Sequence, residues 1–269
     1  MVDTLRLKRV LGRCFGRVMI SGDLHRCVLL YHSVGNSKYG VSEADFSEQM
    51  SCLAEAAEVV SLCELIGGRD KGGNLGRLRC SITFDDGYSS VYSTAWPIMR
   101  NFGFTASVFV TTGAVHSTQP QVSSKTSGLY PDETILTWQQ IDELSQNGFE
   151  VGSHLQTHTD LVSLSEDQMR KELLASREEI EERVGMPCRS VAYPWGSYNT
   201  LVRQCAAASG YSVGLSGIHG FILPNVDMFS IPRIDIRREF CLADFRDILS
   251  GRWNYLGAIQ QLRRATRML

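Results

Sequence analysis

The sequence predicts an α/β fold, specifically a distorted (β/α) barrel of about seven strands. Short apolar runs alternate with stretches of helical periodicity, which is typical of parallel strands joined by crossover helices. Seven or so such units within about 230 residues favour a barrel over an open sheet. The 269-residue chain is 43% hydrophobic and 21% charged, which is ordinary for a globular protein.

The first half of the chain contains three short apolar runs. These predict strands over Cys27 to Val34, Cys80 to Phe84 and Thr105 to Val110. Ser42, followed by an acidic first turn, predicts the N-cap of a helix. A second helix is predicted over Tyr88 to Asn101, with a kink at Pro97 because proline has no N–H to donate.

The second half of the chain continues the alternation. Strands are predicted over Phe149 to Val151, Ser190 to Tyr193, Tyr211 to Leu215 and Ser230 to Ile236. Thr137 to Gln146 is a predicted helix. A longer helix is predicted over 165–184, because Ser165 begins a capping box (S-x-x-Q) and Gly185 supplies an end signal. The stretch from Thr111 to Thr134 is long, polar and aperiodic, which predicts a lid or substrate loop.

Both ends of the chain are basic and amphipathic. We expect a basic amphipathic helix within 1–25, the barrel domain over 26–250 and a C-terminal helix within 251–269. Helical spacing over 5–20 aligns the apolar residues Leu7, Val10, Leu11, Cys14 and Val18 among lysines and arginines. Such a helix either packs across one end of the domain or makes peripheral contact with an anionic membrane surface. The sequence leaves both interpretations open.

Charge and cysteine content indicate the partners and the compartment. A net charge of −2 and a pI of 6.3 predict no nucleic-acid partner. The eight cysteines are scattered without a C-x-x-C pair, and no secretory segment or membrane-spanning run is recognisable. We therefore expect a cytoplasmic protein, either free or at the inner face of the membrane. The sequence does not predict an oligomeric state.

Three polar motifs directly follow predicted strands. They are Thr83-Phe84-Asp85-Asp86-Gly87, Gly152-Ser153-His154-Leu155-Gln156-Thr157-His158 and Ala192-Tyr193-Pro194-Trp195-Gly196. Taken alone, the first motif is more typical of an Asx turn or an N-cap than of a functional site. The two histidines, four residues apart as on one face of a helical turn, could simply be a hydrogen-bonded pair. Because parallel strands end at one rim of a barrel, all three motifs are expected to converge there.

One carboxylate and two histidines provide three metal ligands and leave coordination positions open for water. This is the pattern of hydrolytic zinc sites, and the second carboxylate is then free to act as a base. Zinc is the expected ion, while cobalt, nickel and iron accept the same ligands. A non-haem iron oxygenase is disfavoured, because it would be expected on a β-sandwich with an H-x-D motif.

From about Val28 to Ile236 the chain resembles the polysaccharide deacetylases, the NodB-homology domain of carbohydrate esterase family 4. The resemblance implies that Asp85 is the catalytic base and that one divalent metal ion is bound by Asp86, His154 and His158. It also implies that the backbone N–H of Trp195 stabilises an oxyanion. The implied reaction is hydrolysis of an N-acetyl group on an amino sugar. The implied substrate is a polysaccharide, or a nucleotide- or lipid-linked precursor of an envelope glycan such as an O-antigen.

The chain departs from the family pattern at two places. Ala192 stands where the family has an arginine beside the base, and Arg233 is predicted to replace that arginine. The late L-x-H motif that supplies a general acid has no clean match, which leaves His219 as a candidate for the acid. His32 and Tyr193 are predicted to contact substrate. The alternative function is a catalytically inactive member of the fold that binds a glycan.

Overall fold

A computed structural model describes residues 4–15, 26–35, 37–67, 77–115, 128–130 and 133–267 of the protein. Its strands are β1 (Arg26–Tyr31), β2 (Ala57–Val59), β3 (Leu78–Phe84), β4 (Ser107–Val110), β5 (Glu150–Ser153), β6 (Ser190–Ala192), β7 (Val213–Leu215) and β8 (Ile234–Asp235). Seven of them form one path in the order β7-β6-β5-β4-β3-β1-β8, and every pair on that path is parallel. The short β2 pairs with the beginning of β3, whose end pairs with β4.

The two ends of this path are joined by the segment that contains β8. Ile234 pairs with Leu29 of β1, and Ile231, just before β8, forms a parallel bridge with Leu215 of β7. The sheet therefore curls on itself, and the predicted distorted (β/α) barrel of seven strands is confirmed. Curling brings the carboxyl ends of all strands to one rim, where functional loops of such folds lie.

Nine α-helices lie within the described ranges. They are α1 (Thr4–Phe15), α2 (Glu43–Ala56), α3 (Leu62–Ile66), α4 (Trp96–Arg100), α5 (Trp138–Gln146), α6 (Glu166–Val184), α7 (Thr200–Ala208), α8 (Leu242–Leu249) and α9 (Tyr255–Arg267). The predicted helix ends are confirmed: Ser42 accepts from an N–H in the first turn of α2, Thr137 and Ser165 form capping boxes, and Gly185 ends α6 with a left-handed φ of 70°. No helix within the described ranges is long and apolar enough to cross a membrane.

The predicted kink near Pro97 is a change of helix type. Val91–Ala95 forms a π-helical turn, in which the N–H of Trp96 donates to the carbonyl of Val91, and α4 follows directly. Pro97 has no N–H, and its ring would clash with the carbonyl four residues earlier in a continuous α-helix. A widened turn before the proline avoids that clash.

Most residues of the strands on the main path of the sheet are buried, whichever face they occupy. Rings of Tyr31 and Phe84 contact each other inside the sheet, and Phe46 of α2 packs edge-on to Tyr31. Seven cysteines, all those from Cys27 onward, are unpaired, and five of them are buried. Because crossover helices cover a parallel sheet, its strands are nearly continuously apolar.

Helix α1 packs against the domain, as one of the two interpretations of the N-terminal segment predicts. The hydroxyl of Tyr255 donates to the carbonyl of Lys8 over 2.8 Å, and Arg9 forms an ion pair with Asp244 of α8. The description of α1 reaches Phe15, and residues 16–20 of the predicted helix lie outside the described residues. The expected packing face is wrong in part, because Leu7 and Val10 are exposed while Leu11 packs against the core.

Candidate metal centre and active site

The carboxylate pair lies where β3 ends. The N–H of Asp85 donates to the carbonyl of Tyr31 over 3.0 Å, which extends the ladder between β3 and β1 by one residue. Asp86 and Gly87 then both adopt left-handed backbone conformations with φ of 72°. A left-handed aspartate is uncommon and costs energy, and such conformations concentrate at functional sites. The resulting sharp turn leaves both carboxylates lining one cleft at the rim of the barrel.

The histidine pair lies where β5 ends, two strands away from β3 in the sheet. The N–H of His154 donates to the carbonyl of Val110 over 2.8 Å, which continues the ladder with β4. Leu155 and His158 have positive φ of 67° and 58°, so the segment is an irregular loop. The prediction that the two histidines share one face of a helical turn is therefore wrong. Left-handed residues reverse the chain instead and bring both rings to the same point.

Glu172 of α6 holds this loop in place. Its Oε2 accepts hydrogen bonds from the backbone N–H groups of Gln156 and Thr157, at 3.2 and 3.0 Å, and its Oε1 accepts from the Thr157 hydroxyl. These bonds satisfy the loop between the two histidines. Sequence reasoning did not single out Glu172, because a glutamate on a polar helix has no local feature that reveals a loop partner.

Three ligand atoms of Asp86, His154 and His158 converge on one buried point. Asp86 Oδ1 lies 3.3 Å from His154 Nε2 and 3.2 Å from His158 Nε2, and all three atoms lie within 4.8 Å of one another. Asp86 Oδ1 accepts no well-aligned hydrogen bond from any described residue. Burial alone would raise the pKa of Asp86, but the facing rings of His154 and His158 outweigh it and place the pKa well below its usual range.

This donor set fits a divalent cation. His154 Nδ1 lies 2.7 Å from the carbonyl of Ala192, so its N–H donates there and Nε2 is the ring nitrogen that faces Asp86. Two imidazole nitrogens and one carboxylate oxygen are buried together, and each can donate an electron pair to a cation. Zinc and the neighbouring divalent transition metals take this ligand combination.

Arg233 forms a buried, two-pronged ion pair with Asp85. Its Nη1 and Nη2 each donate over 2.7 Å to a different oxygen of the carboxylate, and its Nε donates over 3.1 Å to the carbonyl of Ser216. Burial raises the pKa of Asp85, but the opposing effect of Arg233 and His154 is larger, so the pKa lies below its usual value. Arg233 thus lies beside the Asp85 carboxylate, as the sequence analysis predicted.

Asp85 lies next to the candidate metal centre. Its Oδ2 is 3.9 Å from His154 Nε2, and its side chain is almost completely buried. An ionised carboxylate in a fixed orientation beside three metal ligands can accept a proton from a water molecule bound there. The geometry therefore separates two adjacent aspartates into different environments, one facing an arginine and one facing two histidines.

The third motif forms a tight turn after β6. Trp195 has a left-handed φ of 60°, and its exposed ring lies 5.2 Å from the ring of His158. Gly196 follows with φ of 63°, and a Cβ there would come within 2.4 Å of Gly217 Cα. Only glycine fits that approach, so the turn that carries Trp195 depends on it.

Two further histidines line the cleft. His219 is buried, its Nε2 has no hydrogen-bond partner among the described residues, and burial lowers its pKa to about 4. A general acid must carry a proton, whereas His219 is neutral at neutral pH, so this burial disfavours that predicted role. His32 also lines the cleft, with its ring 5.9 Å from that of Tyr130.

Tyr193 does not reach the cleft. Its side chain is fully buried, and its hydroxyl donates to the carbonyl of Phe229 over 3.1 Å. Its ring packs within the hydrophobic core instead. The structure therefore gives no support to the prediction that Tyr193 contacts substrate.

An aromatic wall beside the centre was missed by the sequence reasoning. The rings of Tyr39 and Tyr130 stack with centroids 4.3 Å apart, and Tyr88 stacks on Tyr130 at 5.4 Å. Tyr130 belongs to the predicted lid or substrate loop, of which residues 116–127 and 131–132 lie outside the described residues. Stacked rings that border a cleft offer an apolar face to the C–H groups of a sugar ring. No local pattern links residues so far apart in the chain.

The cleft has a volume of about 1210 Å³ and is lined by Asp85, the two candidate metal-ligand histidines and Trp195. The family model for polysaccharide deacetylases matches residues 73–214, which is more than half of the chain and includes all three motifs. The chain belongs to the polysaccharide deacetylase family. The membership agrees with the resemblance that the motifs indicate.

Two relatives share about a quarter of their aligned residues with this chain. YxkH of Bacillus subtilis (strain 168) is 26% identical over 215 residues, covering 78% of this chain and 70% of its own. The poly-beta-1,6-N-acetyl-D-glucosamine N-deacetylase of Staphylococcus epidermidis is 25% identical over 224 residues, covering 78% and 73%. Among solved structures, Streptococcus pyogenes deacetylase PplD in complex with acetate superposes with a TM-score of 0.71 at 22% identity, covering 84% of this chain and 99% of PplD. That structural likeness shows a shared fold.

Proposed function

We propose that the protein is a metal-dependent deacetylase that hydrolyses the N-acetyl group of an amino sugar within a glycan. The observation that carries the proposal is the buried cluster of Asp86, His154 and His158 beside an Asp85 locked by Arg233. Family membership supports it, as does the name of the Staphylococcus epidermidis relative, a poly-beta-1,6-N-acetyl-D-glucosamine N-deacetylase.

The metal ligands in this proposal are Asp86 Oδ1 and the Nε2 atoms of His154 and His158. A divalent ion bound there would polarise the acetamide carbonyl and lower the pKa of a bound water molecule. Zinc is the ion we expect first, and cobalt, nickel or iron would suit the same donors.

Asp85 accepts the proton of the attacking water in this mechanism, and Arg233 acts as a positioning residue that keeps Asp85 ionised and oriented. The backbone N–H of Trp195 donates to the oxygen on which negative charge develops. The C–N bond then breaks, acetate forms, and the free amine takes up a proton. The proton held by Asp85 is available for that last step, so no second acid is required. We therefore propose substrate contact for His219 and His32.

The proposed substrate is an envelope glycan or its lipid- or nucleotide-linked precursor, such as an O-antigen unit. The open cleft of about 1210 Å³ exceeds the space that one sugar needs, and the ring of Trp195 and the stacked rings of Tyr39 and Tyr130 border it. These features favour a saccharide of several residues over a free monosaccharide.

The test measures metal content and acetate release together, on a panel of N-acetylated oligosaccharides. We expect Asp85→Asn to keep the metal and lose turnover, whereas His154→Ala loses both. Asp167→Asn is the matched control, because it makes the same change as Asp85→Asn on an exposed turn of α6 and should alter neither quantity. Full turnover by Asp85→Asn, or full metal content in His154→Ala, would contradict the assignments. Metal and glycan binding without acetate release by the unaltered protein would instead favour the inactive, glycan-binding alternative.

A further inference from the structure

Helices α1 and α9 carry positive charge only. Lysines and arginines contribute four charges to α1 and three to α9, and neither helix contains an acidic residue. Since the whole chain has a net charge of −2, the rest of the chain carries −9. Positive charge is therefore concentrated on the first and last helices of an otherwise acidic protein.

The fold brings these two helices together at the mouth of the catalytic cleft. The hydroxyl of Tyr255, the first residue of α9, donates to the carbonyl of Lys8 in α1, and Gly12 of α1 lies against the ring of Trp253. Leu7 of α1 and Ile259 of α9 both line the cleft that contains Asp85 and the metal-ligand histidines. The cleft and the basic helices thus share one side of the molecule.

Each helix also exposes apolar side chains on one face. The exposed fractions are 49% for Leu7 and 56% for Val10 in α1, and 38% for Ile259 and 68% for Leu262 in α9. A spacing of three residues places each pair on the same helix face. Single exposed apolar residues are ordinary, but four on two neighbouring helices among cationic residues form a pattern typical of interfacial helices. We call this surface the α1/α9 rim.

The part of the α1/α9 rim that α1 contributes is held in place. Arg9 donates two hydrogen bonds to Asp244, at 2.8 and 2.7 Å, and Lys8 Nζ lies 5.7 Å from the centre of the Phe240 ring. Leu5 and Leu11 pack against the core. Because Leu5 and Arg9 lie on the face of α1 opposite to Leu7 and Val10, a rotation that buried Leu7 and Val10 would break the Arg9 ion pair.

We propose that the α1/α9 rim docks on an anionic lipid bilayer, so that the cleft takes its glycan from a lipid-anchored molecule. The apolar side chains would enter the boundary between headgroups and acyl chains, and the cations would attract anionic headgroups. Charge decides against a second copy of this chain as the occupant, because a symmetric dimer would oppose two cationic surfaces. The glycan source rests on the proposed function, whereas the docking itself does not.

The experiment uses the full chain and vesicle sedimentation. Phosphatidylcholine vesicles that contain phosphatidylglycerol should bind the protein more strongly than pure phosphatidylcholine vesicles, and added salt should weaken the binding. The double variant Val10→Gln/Leu262→Gln removes two apolar anchors that do not line the cleft, and should lower the partition coefficient about tenfold or more.

The matched control is Met186→Gln/Leu223→Gln. These residues are 61% and 55% exposed but lie near the amino ends of the strands, Met186 before β6 and Leu223 beside Arg26. The control should bind vesicles like the unaltered protein. Equal binding to neutral and anionic vesicles would overturn the proposal, as would equal losses in both double variants. A soluble dimer that Val10→Gln/Leu262→Gln dissociates, without vesicle binding, would also overturn it.

The readout separates this proposal from the proposed function. Vesicle binding is measured without turnover, so it can fail while acetate release from soluble oligosaccharides succeeds, and the reverse. Val10→Gln/Leu262→Gln should keep the unaltered rate on a soluble N-acetylated oligosaccharide. On a lipid-anchored N-acetylated sugar in anionic vesicles, the same variant should be slower than the unaltered protein, because it binds the vesicles more weakly.

Discussion

Replacing Arg233 by methionine should destabilise the protein and impair turnover together. Methionine keeps much of the side-chain length but removes the guanidinium, whose two nitrogens each lie 2.7 Å from an oxygen of Asp85. Asp85 is then buried without its partner. The carbonyl of Ser216 also loses the hydrogen bond that Arg233 Nε donates to it over 3.1 Å. The substitution therefore leaves uncompensated polar groups in the interior.

The expected loss of unfolding free energy is about 3 to 5 kcal/mol, which is typical when one partner of a buried ion pair is removed. That is a large share of the roughly 5 to 15 kcal/mol that stabilises a domain. Turnover should fall by more than about tenfold, because a correctly placed general base contributes roughly 10² to 10⁴ in rate. Metal content should stay unchanged, since Asp86 and the two histidines remain.

Urea unfolding of the metal-free protein measures the loss, because bound metal would add its own stabilisation. Arg203→Met is the matched control, since it breaks the partly exposed pair with Asp227 and should cost less than about 1 kcal/mol. The double variant Asp85→Asn/Arg233→Met should recover part of the stability, because no unpaired charge is left. Equal losses in Arg233→Met and Arg203→Met would refute the reasoning, and so would full turnover in Arg233→Met.

Three further predictions concern stability. In the unfolded chain His219 takes up a proton below about pH 6.5, whereas in the folded protein it does so only near its lowered pKa of about 4. The free energy of unfolding should therefore decrease by roughly 3 kcal/mol as the pH is lowered from 6.5 to 4. In His219→Gln the urea midpoint should depend less steeply on pH over this range. An unchanged slope would contradict the lowered pKa of His219. Gly196→Ala should lower the thermal midpoint more than Gly185→Ala, because both have positive φ but only the first places a Cβ 2.4 Å from another backbone atom. Ser165→Ala should cost about 1 kcal/mol in urea unfolding by removing the capping box of α6, and an unaltered midpoint would count against that cap.

The features that the sequence predicted correctly are those with local causes. The N-cap at Ser42, the capping box at Ser165 and the helix end at Gly185 each involve residues within a few positions of one another. The alternation of apolar runs and helical stretches is also local, and it predicted the parallel barrel. Because parallel strands must end at one rim, the motifs that follow β3, β5 and β6 could be expected to meet.

The sequence by itself thus determined the fold class and the motifs that supply the candidate metal centre. The family resemblance suggested Arg233 as the partner of Asp85, but the tertiary structure alone decided the bidentate geometry of that pair across 148 residues. It alone also decided that Glu172 holds the loop between the two histidines and which face of α1 is exposed. The histidine spacing suggested a helical turn, and the left-handed backbone of the loop overrode it. The physical reason is that ion pairing, burial and loop conformation depend on which distant groups become neighbours. Periodicity and spacing report only what lies near in the chain.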